Sequence, residues 1–173
     1  IVHGRRVKRV DEVRRELEVL AGRPMPAPVI GDLGALLNVR ALAAELNGRT
    51  EPPTVLLHNA GIFQRKRELT EDGFEKTMAV NHLASFLLTH LVLEDARCVL
   101  RRIVLVSSMA HGRGSVDAFD VGLVKRAFDG YGHYGASKLA NVLTARALAP
   151  RLASRAITAN ALHPGVVSTK LLT

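Results

Sequence analysis

Short β-branched runs alternate with longer amphipathic ones along nearly the whole chain. Ile1, Val2 and His3 read as the tail of a strand. Residues 7–21 then place Val10, Val13, Leu17 and Leu20 on one helical face. The proline-rich stretch 24–28 cannot continue that helix, because proline lacks an amide hydrogen and clashes with the preceding turn. Val29 and Ile30 form a short strand ending at Gly31-Asp32-Leu33-Gly34, and residues 39–46 predict the next helix. Pro52-Pro53 opens the buried-strand run Thr54-Val55-Leu56-Leu57, which stops at Asn59-Ala60-Gly61. One long helix is predicted over 71–94, carrying Phe74, Met78, Asn81, Phe86 and Leu88. Ile103-Val104-Leu105-Val106 is the most strand-like run of all, and it ends at Ser107-Ser108. After a glycine-bearing segment up to Gly132, residues 134–152 predict a helix with Leu139, Val142, Leu143 and Leu148, broken near Pro150. The last strand, 157–162, stops at His163-Pro164-Gly165.

Strands alternating with helices imply βαβ units, and therefore a parallel sheet covered by helices on both faces. The expected fold is an α/β, Rossmann-type doubly wound sheet in a single domain over 1–173, with no internal repeat. The size suits one domain with a sizeable core, and 47% apolar with 23% charged residues is ordinary for a globular chain.

Charge changes the picture less than it promises. A net charge of +8 suggests nucleic acid, but the arginines are scattered through the chain. There is no Trp and no aromatic-rich strand on which bases could stack, so solvated helix faces are the reading, with no nucleic-acid partner. The lone Cys98 forbids an internal disulfide, which makes the cytoplasm the expected compartment. No apolar run is long enough to span a bilayer. His3, His90, His111 and His133 lack metal-ligand spacing, so no metal is expected.

The chemistry gathers at the strand ends, where open α/β sheets bind ligands. Asp32, Asn59-Ala60-Gly61, Ser107-Ser108 and Pro164-Gly165 each follow a strand. Tyr134 and Lys138 are one helical turn apart and share a face. A tyrosine hydroxyl ionises near pH ~10, and an ammonium held close to it is expected to lower that value enough for general acid–base work. Taken alone, such a pair is an ordinary surface i,i+4 contact.

In their order and context, these motifs resemble the short-chain dehydrogenase/reductase family across essentially the whole chain. The match rests on Asn59-Ala60-Gly61, Asn81, Ser107-Ser108, Tyr134-Gly-Ala-Ser-Lys138 and His163-Pro164-Gly165. The retinol-dehydrogenase-like branch is most similar, through Ser108-Met-Ala-His111-Gly112, the Ser-Lys-Leu-Ala-Asn run ending at Asn141, and His163-Pro-Gly-Val-Val. The resemblance implies an oxidoreductase of alcohols, ketones or aldehydes, with Tyr134 exchanging a proton with the substrate oxygen. It implies that Ser108 hydrogen-bonds that oxygen, that Lys138 holds the cofactor ribose and tunes Tyr134, and that Asn81 organises a water relay from Lys138. Asp32 and Leu33 would contact adenine, while Asn59, Ala60 and Gly61 border the adenosine. Pro164 and Gly165 lead into the loop over the nicotinamide, with Val167 and Thr169 as contacts. His58 stands where the family often has a further Asn.

Arg5 and Arg6 follow the first strand tail with no acidic residue to accept from a 2′-hydroxyl, so NADP(H) is expected rather than NAD(H). The family's Thr-Gly-x-x-x-Gly-x-Gly phosphate cradle is not found between Ile1 and Thr173. The sequence therefore reads as an incomplete sheet whose first and C-terminal strands are absent. That leaves Ile1-Val2 and 54–57 without their shared neighbour, and poor cofactor binding and strand-exchanged homo-oligomers are expected of the isolated segment. Two alternatives stand beside the oxidoreductase: a catalytically silent remnant serving as a binding module, and a sugar-nucleotide epimerase or dehydratase, which shares Tyr-x-x-x-Lys.

Overall fold

Five strands, each parallel to its neighbours, alternate with helices in a computed structural model that describes residues 1–165. In chain order these are β1 (His3–Gly4), α1 (Val7–Ala21), β2 (Val29–Ile30), α2 (Leu36–Gly48) and β3 (Val55–His58). Next come the short α3 (Lys76–Met78), a π-turn (Ala79–Leu83), α4 (Ala84–Glu94), β4 (Arg102–Val106), α5 (Gly130–Leu152) and β5 (Thr158–Leu162). The strands form two separate parallel sheets, ordered β1-β2 and β3-β4-β5. Among the described residues, no ladder joins β1 to β3.

The main core lies on one side of the larger sheet. Leu56, Ile103, Leu105 and Ala159 point into it and meet Leu42 and Leu46 of α2, Leu88 and Val92 of α4, and Leu148 and Leu152 of α5. The alternate strand positions face the other way, where Val55 and Leu57 stay exposed. That period-two alternation is the pleat of a strand with one covered face.

The helix expected over 39–46 extends to Leu36–Gly48, and larger departures follow further along the chain. The helix expected from residue 71 begins at Lys76, because Gly73 turns the chain with φ 81° and the Glu75 carboxylate caps the amides of Thr77 and Met78. It is also interrupted: its register widens to i→i+5 over Ala79–Leu83 before α4 resumes. α5 starts four residues earlier than Tyr134, capped by the Asp129 carboxylate on the amides of Tyr131 and Gly132. It also runs through Pro150 to Leu152 rather than breaking there.

Candidate active site

Three elements bring the chemistry together: the end of β4, the start of α5, and the π-turn. After β4 the chain turns at Ser108, whose hydroxyl accepts from the Ala110 amide at 3.3 Å and opens a 3-10 turn over Met109–Arg113. That turn is pressed directly onto α5. A Cβ at Gly114 would lie 2.3 Å from the Gly135 carbonyl oxygen, and one at Gly135 would lie 2.7 Å from that of Ala110. Backbone therefore touches backbone beside Tyr134, and this contact sets Ser108 against the tyrosine.

Tyr134 is buried, its hydroxyl interacting with the Ser108 side chain and its ring edge-on to Phe63 at 5.8 Å. Burial raises the hydroxyl's pKa above its ordinary value; the Ser108 hydrogen bond works in the opposite direction, and the nearby Tyr131 adds to the rise. This corrects the expectation that Lys138 lowers it. The Lys138 ammonium stands 5.6 Å over the Tyr134 ring and donates to the Val106 carbonyl at 3.0 Å, so it is not held at the hydroxyl. Burial takes Lys138 from an ordinary 10.5 down to about 8.

Asn81 sits in the π-turn with its amide fully engaged. Oδ1 accepts from the Ile62 amide at 2.7 Å, while Nδ2 donates to the Ile62 carbonyl at 2.9 Å and to Ser137 Oγ at 3.1 Å. The side chain thus holds the segment after β3 as a neighbouring strand would. Gly61, just before Ile62, lies where a Cβ would come 3.3 Å from Lys138 Nζ and 3.5 Å from Asn81 Oδ1. The Asn59-Ala60-Gly61 strand end and the Tyr134–Lys138 helix meet at this point. Ser107 is structural, its hydroxyl donating to the Lys138 carbonyl at 2.9 Å.

A second group lies at the ends of the small sheet. Arg5 and Asp32 form an exposed ion pair at 3.5 Å, and the Asp32 carboxylate also accepts from the Gly34 amide at 2.8 Å. Arg6 occupies the N-cap position of α1, and Leu33 packs against the edge of the main core. Pro164 and Gly165 follow β5, while Val167 and Thr169 lie outside the described residues.

His58 is partly buried against α4. Its Nε2 lies 2.8 Å from Thr89 Oγ1, and burial lowers its pKa to about 4, which keeps it neutral. Sequence reasoning missed Asn141 and His82, which hydrogen-bond to each other under Lys138. The signal was available: Asn141 is a poor helix former in mid-helix, one turn beyond Lys138. Among the described residues no helix is long and apolar enough to cross a membrane.

The sequence profile described as short chain dehydrogenase matches residues 1–173. Human retinol dehydrogenase 13 is 40% identical over 141 residues, covering 81% of this chain and 43% of its own length. Human retinol dehydrogenase 11 is 36% identical over 169 residues, covering 97% of this chain and 53% of its own. The chain thus spans about half the length of the curated relatives it matches. Among solved structures, an uncharacterized protein from Mycobacterium paratuberculosis superposes with a TM-score of 0.77 at 34% identity, over 98% of this chain and 59% of that one. A blue fluorescent protein from a metagenomic library, solved with NADPH, gives 0.72 at 30% identity, over 98% and 64%. On these matches the chain belongs to the short-chain dehydrogenase family, and its relatives include the retinol dehydrogenases.

Proposed function

We propose that this chain carries the acid–base half of an oxidoreductase acting on an alcohol or carbonyl substrate with NADP(H), and that Tyr134 is its general acid or base. The observation that carries the reading is the buried Tyr134, whose hydroxyl interacts with the Ser108 side chain, with the buried Lys138 holding its ammonium 5.6 Å over the tyrosine ring. The cofactor, when bound, supplies or accepts the hydride.

The remaining steps belong to the chain's own residues. Because burial raises its pKa, Tyr134 keeps its proton at neutral pH and can pass it to a carbonyl oxygen, which becomes the alcohol. The Ser108 hydroxyl donates to the same oxygen and holds it within reach. The Lys138 ammonium donates to the Val106 carbonyl, and its other hydrogens suit a ribose diol. Asn81 keeps the strand end carrying Gly61 against Lys138.

The residues present fit the adenosine and nicotinamide ends of such a cofactor, because backbone at Asn59, Ala60, Gly61, Pro164 and Gly165 allows a flat ligand close approach. Asp32 and Leu33 would face adenine, and Arg5 and Arg6 a 2′-phosphate, with Val167 and Thr169 in the loop beyond Gly165. Three similar solved structures carry NADPH or NADP in their descriptions, which favours NADP(H). The names of the curated relatives make retinal the first aldehyde to try.

The test is NADPH oxidation by the full natural polypeptide containing these residues. Tyr134→Phe is expected to lower kcat by about 100-fold or more while leaving the NADPH dissociation constant within about twofold. A Tyr134→Phe protein retaining more than about a tenth of the parent rate would overturn the assignment.

A further inference from the structure

Under Lys138, the inward face of α5 is polar where a core helix is ordinarily apolar. Asn141 lies there, 1% exposed, and an amide buried so deeply must have its hydrogen bonds met. Its Nδ2 donates to the Asn81 carbonyl at 3.1 Å and to the Val106 carbonyl at 3.3 Å. Its Oδ1 lies 3.0 Å from His82 Nδ1. Two carbonyls can be satisfied only by the amide nitrogen, so Oδ1 must face the imidazole and His82 Nδ1 must carry the ring proton. Burial lowers the His82 pKa, which favours the neutral ring that donates from this one nitrogen.

Both carbonyls belong to the site. Val106 O also receives the Lys138 ammonium at 3.0 Å. The Asn81 carbonyl is on the residue whose side chain clamps Ile62 and Ser137, and it lies in the π-turn, where the helical register is widened. We infer that Asn141 and His82 are positioning residues: Asn141 ties the π-turn bearing Asn81 to the end of β4 that orients Lys138, and His82 fixes the direction of the Asn141 amide. The inference rests on the reading of Tyr134 and Lys138 given above. In that reading neither residue touches substrate, so their loss acts on rate more than on substrate affinity. Displacing a reacting group by about 1 Å can cost as much as 100-fold in rate.

The measurement is kcat and carbonyl KM at saturating NADPH, in the full natural polypeptide, for Asn141→Leu, His82→Leu and His82→Asn, with Tyr134→Phe as control. Asn141→Leu is expected to lower kcat about tenfold and His82→Leu about threefold, with KM changed by less than about twofold. Asparagine presents an amide hydrogen near the position of the imidazole Nδ1, so His82→Asn should keep at least about half the parent kcat. His82 also borders an open groove between α4 and α5, so its variants keep the test decisive if Asn141→Leu fails to fold. Tyr134→Phe inactive with both leucine variants at parental kcat overturns the positioning role and leaves the acid–base reading standing. Tyr134→Phe at parental rate overturns both. A His82→Asn protein as slow as His82→Leu overturns the hydrogen-bond account.

Discussion

The two sheets of this molecule differ in how they are held. In the smaller one, two-residue strands pair through His3↔Val29 and Gly4↔Ile30, and α1 leans on them through Val10, its single buried residue. Leu20 of α1 is 82% exposed although it falls on the helix's apolar stripe. In the larger sheet, β4 is paired along both edges and lies over a core built from α2, α4 and α5. There the buried face of α5 mixes polar and apolar side chains, Ser137, Lys138, Asn141 and Thr144 lying beside Ala136, Ala140, Leu148 and Leu152. Apolar residues at helical spacing identified both helices, yet the one with the cleaner apolar face is the less buried. A stripe records that a face can be covered; position in the sheet decides whether it is.

The contrast is most sharply tested by stability. Leu105→Ala opens a cavity in a fully buried site between β4 and the helices, at a cost of about 2–5 kcal/mol. Leu20→Ala removes only solvated surface and should stay within about 0.5 kcal/mol. Urea denaturation midpoints compare the two. A Leu20→Ala loss as large as that of Leu105→Ala would mean that α1 is covered in solution, and the comparison between the sheets would fail.

The same distinction governs what could be read from the sequence. Strand positions were legible to within one residue or so, because β-branched runs bounded by Pro, Gly and Ser leave little choice. The Tyr134, Lys138, Ser108 and Asn81 grouping was legible from motif order. Three features were not. The π-turn needs the contact between Asn141 and the Asn81 carbonyl, 60 residues away, to be known. The direction of the Tyr134 shift depended on where the lysine's ammonium goes, and the Val106 carbonyl takes it. The pairing of His58 with Thr89, 31 residues away on α4, is a long-range contact that no local pattern encodes.

The larger sheet also predicts a pH dependence with opposite signs for rate and stability. Lys138 titrates at about 8 in the folded protein against an ordinary 10.5. Below about 8 it is an ammonium able to hold the cofactor ribose in the proposed reading; above, that charge is lost, so carbonyl reduction should fall roughly tenfold per pH unit. Tyr134, its own pKa raised, does not produce this limb. Between the two Lys138 values the unfolded chain binds a proton that the folded chain does not, so this group's contribution to stability rises with pH. Initial rates and denaturation midpoints measured from pH 7 to 10 read both slopes. A rate that stays flat to pH 10 would remove the Lys138 ammonium from the mechanism.

The smallest effect belongs to the smaller sheet, whose role in the proposed reading is recognition. Arg5 and Asp32 are both exposed, so their ion pair at 3.5 Å contributes roughly 0–1 kcal/mol to stability. A guanidinium facing a 2′-phosphate makes charge-assisted bonds that a 2′-hydroxyl cannot, so Arg5 should matter to one cofactor and not the other. Arg5→Gln is expected to raise the NADP(H) dissociation constant about fivefold, with NAD(H) changed by less than about twofold, because a bond to a charged group is lost at a solvated site. The unfolding midpoint should barely move. Isothermal titration of the full natural polypeptide with both cofactors provides the comparison, run at one fixed salt concentration because exposed charges are screened. Equal weakening of the two would place Arg5 away from the 2′-position and leave it as the surface partner of Asp32.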